Sequence, residues 1–136
     1  MKKFFSTAYS DNSFNLASLI IRLAFGLLIC INHGFSKLQH FSSMQYSFLD
    51  PLHIGHRWSL VLATFAEVFC ALLLALGLFT PLAALILVVN MSVAVFIAQK
   101  GQGLGPREAG LLYLTAFFSI LLVGPGRFSM DGMMGK

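Results

Sequence analysis

The chain has 136 residues, of which 57% are hydrophobic and only 10% charged, with 14 Phe and a mean hydropathy of +0.82. So few charges cannot clothe a soluble domain of this size, which excludes that class and points to a one-domain integral membrane protein. The formal charge of +4 does not indicate nucleic acid, because the Lys and Arg flank apolar runs, where cations anchor helices to lipid head groups.

Met1 to Asn15 is polar and carries Lys2 and Lys3, after which Leu16 to about Ile31 is apolar except for Ser18 and Arg22. Lysines before a hydrophobic run can open a signal peptide. Here the intervening Ser10-Asp11-Asn12-Ser13, the internal arginine and the lack of an Ala-x-Ala site predict a first helix that stays attached. Asn32 to Arg57 mixes Phe41, Tyr46 and Phe48 with polar residues and is broken by Asp50-Pro51 and Gly55, which predicts a short helix lying on the membrane.

Trp58 to Leu78 is the second apolar run, and as a helix at ~1.5 Å per residue it matches a hydrocarbon core of about 30 Å. Its polar side chains are Ser59, Thr64 and one carboxylate, Glu67, near the middle. Gly77-Leu78-Phe79-Thr80-Pro81 then carries both signals of a tight helix-to-helix turn, glycine at an end and proline at a start. The third helix runs from about Pro81 to Ala98 with Asn90 at its centre, followed by a glycine-rich connection from Gln99 to Gly105. A fourth, beginning near Pro106 to Glu108 and ending at Val123, measures under about 27 Å and is short for a span. Gly124-Pro125-Gly126 stops it. The expected fold is an all-α, four-transmembrane-helix bundle with spans at about 16–36, 58–78, 81–98 and 108–123 and an interfacial segment between the first two.

A charge at mid-bilayer depth costs at least ~2.5 kcal/mol and therefore needs a partner or a wet cavity. Counted from span centres, Glu67, Asn90 and Thr115 fall near the midplane, and Arg22 lies roughly 6 Å from the centre of its own span. Arg22 is thus the expected ion-pair partner of Glu67, either as a polar lock of the bundle or as a ligand-binding or proton-relay site. Arg22, Gly26, His33 and Lys37 recur at helical spacing, which sets His33 and Lys37 in a second polar group nearer one face. Glu108, at the start of the fourth helix, is expected on that side, as a partner of Lys37 or as an ordinary capping charge. Arg127 and Asp131, after the Gly-Pro-Gly stop, suit a structural cap, pairing with each other or holding another helix end.

Metal and haem are not expected. His53-x-x-His56 lacks cysteine or carboxylate partners at the usual zinc spacing, and no span holds a second histidine for a bis-histidine haem. Cys30 and Cys70 lie on opposite sides of the midplane, roughly 9 Å apart along the normal, too far for a disulfide and suited to packing.

Taken together, Arg22-Leu-Ala-Phe-Gly26, His33-Gly34-Phe-Ser-Lys37-Leu38, Glu67 with Gly77-Leu-Phe-Thr80, Asn90-Met91 with Ala94, and Gly124-Pro-Gly-Arg-Phe-Ser-Met-Asp131 resemble the DoxX family of small four-helix membrane proteins, over about residues 17–131. Two positions depart from the family pattern. Cys70-Ala71 stands where a glycine pair is usual, and Gln99-Lys100 where some members carry a histidine. The resemblance implies a link to quinol oxidation or thiosulfate:quinone oxidoreduction. It suggests an accessory subunit of a quinone-linked redox system in a bacterial cytoplasmic membrane, with a quinone as candidate ligand and an oxidoreductase subunit or a second copy as candidate partner. The alternative is a non-catalytic scaffold or small-solute carrier whose polar residues are structural. No nucleophilic triad or phosphate loop marks an autonomous enzyme. Lys2, Lys3, Arg127 and Lys136 on the side of the termini balance Lys37, Arg57, Lys100 and Arg107 opposite. Cytoplasmic termini are expected because two lysines precede the first helix.

Overall fold

A computed structural model describes residues 2–135. Lys136 lies outside the described residues, as do the side chains of Lys2 and Lys3, so the charge tally across the membrane rests on the sequence. Among the described residues all regular structure is helical, and four helices are long and apolar enough to cross a membrane. In chain order the elements are α1 (Asp11–Gln39), the short α2 (Phe41–Met44), α3 (His56–Leu76), α4 (Thr80–Ala98), α5 (Leu104–Val123) and the short α6 (Met130–Met133). The four spans form a ring of neighbours in which α1 packs on α3 and α5, and α4 packs on the same two. Ile29, Leu74, Ala84, Leu87, Phe117 and Ile120 form the centre of the core.

Local signals explain where the spans begin and end. Ser10 caps α1 by accepting a hydrogen bond from the Ser13 amide at 3.1 Å, so this helix starts earlier than its apolar run. It also continues to Gln39, which shortens the expected surface helix to α2 alone. With 29 residues α1 is about 43 Å long and must project beyond the hydrocarbon. The fourth span is not short: α5 begins at Leu104, and its 20 residues reach about 30 Å. Gly77, at a φ of 73°, ends α3, with Gly77 N–H bonded to Leu74 O at 3.0 Å and Leu78 N–H to Leu73 O at 2.9 Å, the paired bonds of a Schellman motif. Pro81 opens α4 two residues into the new helix, completing the predicted hairpin.

The register of α1 against α3 is set by small side chains. An added Cβ on Gly26 would lie 3.0 Å from Ala71 O, and one on Gly34 would lie 2.5 Å from Glu67 O. Between them Cys30 Sγ sits 4.0 Å from Val68 O. Gly26, Cys30 and Gly34, each four apart, thus form a small-residue seam that lets two backbones touch. Three spans also carry one π-helical turn each: Cys30–Gly34 in α1, Phe65–Cys70 in α3 and Val93–Ala98 in α4. Each is closed by a bond spanning five residues, from Phe35 N–H to Cys30 O, Ala71 N–H to Ala66 O, and Gln99 N–H to Ala94 O. The extra residue in the α1 turn moves the seam from His33, where a regular helical period would leave it, to Gly34.

The connection from α2 to α3 is ordered by one carboxylate. Asp50 accepts from the amides of Ile54 and Gly55, both at 2.9 Å, and from the Ser59 hydroxyl at 2.9 Å. Although burial pushes its carboxyl up, the Ser59, Gly55 and Ile54 hydrogen bonds and the nearby His56 outweigh that and hold it below the usual carboxylate value.

Candidate functional site

Two polar groups form inside the bundle, and they are not the two that spacing predicts. Arg22 does not pair with Glu67. It is 0% exposed and donates through Nη1 to Leu74 O at 3.4 Å and Ala75 O at 3.1 Å, and through Nη2 to Phe128 O. A guanidinium suits these carbonyls, because the last turn of α3 presents the negative end of its dipole. The expected depth of Arg22 assumed that its apolar run is centred in the membrane. The glycine seam instead brings Gly34 level with Glu67, which sets Arg22 about 18 Å further along α1, beside the end of α3.

The tail closes over that end. Asp131 accepts from Phe79 N–H at 3.0 Å and Thr80 N–H at 2.9 Å, and its own amide donates to Gly77 O at 2.9 Å. It therefore supplies the cap that Phe79, which has no acceptor in its side chain, cannot give to α4. Phe79 is held at a φ of 50°, a left-handed conformation that costs a bulky residue roughly 1 to 2 kcal/mol. Asn15 Oδ1 accepts from Arg127 N–H at 3.0 Å, and the Ser18 hydroxyl lies within bonding reach of Gly124 O and Pro125 O. The predicted cap is thus made by the Asp131 side chain and the Arg127 backbone, while the Arg127 side chain stays exposed.

Glu67 takes its charge partner from α1 instead. It is 4% exposed, and Lys37 Nζ lies 3.2 Å from Oε1 as a hydrogen bond and 3.0 Å from Oε2 as an ion-pair contact. Oε2 accepts no well-directed hydrogen bond among the described residues. The expected contact of Lys37 with Glu108 is absent among the described residues, since Lys37 is committed to Glu67 and Glu108 stands exposed. Lys37 also lies over the Phe48 ring at 6.0 Å, a cation–π contact from the loop that follows α2.

A cavity of about 760 Å³ opens beside this pair. All three π turns contribute to its wall, through His33 in α1, Phe65, Ala66 and Glu67 in α3, and Val93, Ala94 and Ala98 in α4. Such turns redirect side chains out of the regular ladder and are frequent at functional sites. Of the residues singled out from sequence, Glu67, Lys37, His33 and Asn90 line the cavity. Arg22, Thr115 and Glu108 do not. Thr115 faces outward from α5 and satisfies its hydroxyl on Leu111 O at 2.8 Å, so its midplane depth brings it to no shared site. Asn90 is half-buried, and its side-chain amide makes no hydrogen bond to another described residue.

Spacing alone missed Tyr113. Its ring stacks on Phe117 at 5.9 Å and meets the His33 ring edge-on at 5.6 Å, and Tyr113 and His33 both line the cavity. The only available signal was a tyrosine among leucines in a span, which is as common in packing as in binding. The loop residues Phe48 and Leu52, which also line the cavity, carried no sequence signal beyond an interfacial composition.

The arrangement can hold an apolar body within mostly hydrophobic walls, beside one Lys37–Glu67 pair. No curated protein and no solved structure matches the chain. The DoxX family model matches residues 17–100, a stretch that contains the α1–α3 seam, the Lys37–Glu67 pair and the α3–α4 hairpin but ends before α5 and the closing tail. A match over more than half of the sequence, on the residues that build the bundle, makes this chain a member of the DoxX family.

Proposed function

We propose that this chain is an accessory subunit of a quinone-linked redox system, and that the cavity beside Lys37 and Glu67 holds a quinone-sized lipophilic ring. The observation that carries this reading is a cavity of about 760 Å³, within the volume range of small-molecule sites, with apolar walls and one buried ion pair. Glu67 and Lys37 would supply the polar end of the site, and Tyr113 and His33 would flank the ring. A partner oxidoreductase subunit would supply the electron transfer. The cytoplasmic membrane of a bacterium, with both termini cytoplasmic, is the setting this reading requires.

Solvent extraction of the purified protein followed by absorbance tests it directly. A stoichiometric quinone, lost in Glu67→Leu with Lys37→Met, is the expected result. A colourless, lipid-only preparation that also fails to take up added quinone would overturn it and favour the scaffold. That second reading has its own support in the Arg22 and Asp131 group, whose polar side chains serve backbone carbonyls and amides of the bundle itself.

A further inference from the structure

The cavity reaches the membrane face opposite the termini, where Gln99, just past the end of α4, and Pro106, in the first turn of α5, line it. These two make one fixed side of the opening, because Gln99 Nε2 donates to Pro106 O at 3.1 Å. Residues 45–55 make the other side. Phe48, Leu49, Pro51, Leu52 and Ile54 line the cavity, yet Leu49 is 62% exposed and Leu52 48%, so a single thickness of chain separates inside from outside.

Every hydrogen bond of this loop among the described residues runs within it, to α2 or to the first turn of α3. Asp50 holds Ile54, Gly55 and Ser59, His56 Nδ1 lies within bonding reach of Phe48 O, and Phe48 N–H returns to Met44 O at 2.8 Å. None crosses to α4 or α5. A cover bonded along one edge and resting against the other can lift without breaking its own bonds. Its tie to the polar pair is Phe48, whose ring lies 6.0 Å from Lys37 Nζ, while the same ammonium holds Glu67.

The side chains beneath give the cover a use. The Asn90 amide and the Tyr113 hydroxyl line the cavity without a hydrogen bond to another described residue. By helical rise Asn90 and Glu67 both lie roughly 15 Å from the turn between α3 and α4, at hydrocarbon depth. Polar groups left unpaired there are costly, which calls for an occupant that brings a polar group to that level. Such a group arrives more easily from the wet surface than through lipid.

We propose that residues 45–55 are a lid, latched by Phe48 against Lys37, and that the cavity is entered from the membrane surface opposite the termini when this lid lifts. The lid serves any occupant that carries a polar group, and so stands apart from the quinone reading. It also links entry to the pair, because an occupant that draws Lys37 towards itself releases Phe48.

The test places a thiol inside. Ala94→Cys, on the cavity wall, is made in the full-length protein, reconstituted in phosphatidylcholine nanodiscs and treated with MTSET, a cationic methanethiosulfonate that does not cross lipid. Wild type, whose Cys30 and Cys70 are buried, gives the background, and Ser47→Cys on the exposed side of the loop gives the rate of a free thiol. Ala94→Cys should react far more slowly than Ser47→Cys. Adding Phe48→Ala or Asp50→Ala should speed it about fivefold, the change in open population that losing one such contact produces. Cys30 and Cys70 should stay unreactive throughout. Their reaction in step with Ala94→Cys would mean that the bundle has loosened, and overturns the lid. An Ala94→Cys rate equal to that of Ser47→Cys in the otherwise native chain means that the cavity stands open, and overturns it too. Rates unchanged by both loop substitutions overturn the latch and the route. Phe48→Ala leaves the Asp50 hydrogen bonds in place and decides the matter if Asp50→Ala does not fold. Each of these failures leaves the quinone reading standing, since solvent extraction decides that separately.

Discussion

The two polar groups of this bundle differ in what lies beside them. At the closed end, Arg22 and Asp131 are spent on the backbone: three carbonyls of α3 and the tail, and two amides at the start of α4. At the other end, Lys37 and Glu67 are spent on each other, beside a cavity of about 760 Å³. Both place charges inside a membrane protein, at similar cost. Burial of a charge therefore does not separate structure from site. The large cavity does: Glu67 and Lys37 line it and Arg22 does not, although Arg22 Nε, like Glu67 Oε2, has no hydrogen-bond partner among the described residues.

The comparison breaks most sharply if the seam between the groups is disturbed. Gly34→Ala would bring a Cβ to 2.5 Å from the Glu67 carbonyl, where backbone must move, so a loss of about 3 kcal/mol is expected together with loss of ligand uptake. Gly26→Ala, at 3.0 Å from Ala71 O, should cost clearly less. Thermal unfolding in detergent compares the two, and equal losses would mean that the seam is not what sets the register.

Arg22→Met should lower stability by roughly 3 kcal/mol, because it strips a buried cation from three carbonyls at once, but should leave ligand retention per folded molecule unchanged. Lys37→Met with Glu67→Leu should do the reverse, since replacing a buried pair by apolar residues is often near neutral for folding, while binding is lost. If Arg22→Met loses ligand at full stability, the division between structural and binding groups fails.

Asp131→Ala removes the acceptor of Phe79 and Thr80 and should cost about 1 kcal/mol, the usual worth of a helix cap, measurable as a lowered melting temperature with binding intact. The smallest effect belongs to Asp50. Its carboxyl titrates below the ordinary value of 3.8, so the order it gives the loop is present above that value and lost as the pH falls through the lower, folded one. The Ile54 and Gly55 amide resonances should hold constant across neutral pH and shift only in that acid range, whereas Asp50→Asn should shift them at every pH. Movement of these signals across neutral pH would show that Asp50 is not the group that orders the loop.

Much of this molecule was legible from residues alone, and the division has a physical cause. Spans, the hairpin at Gly77 to Pro81 and the placing of Glu67 at mid-span depend on hydropathy and on local backbone preference, both of which are written in consecutive residues. Asp131 could be read as a cap because a carboxylate after a helix stop has few other uses, but not as the cap of α4, which lies 51 residues earlier. The pairing of charges depended on how far α1 slides along α3. That slide is decided by Gly26 and Gly34 touching the α3 backbone and by a π turn that exchanges His33 for Gly34 at the contact. A shift of this kind moves a side chain by several turns without altering any local signal. Composition and periodicity therefore determined that one cation and one carboxylate inside the spans, Arg22 and Glu67, must find partners. Only the packed register decided that Lys37 reaches Glu67, that Arg22 serves the end of α3, and that a cavity opens beside the Lys37–Glu67 pair.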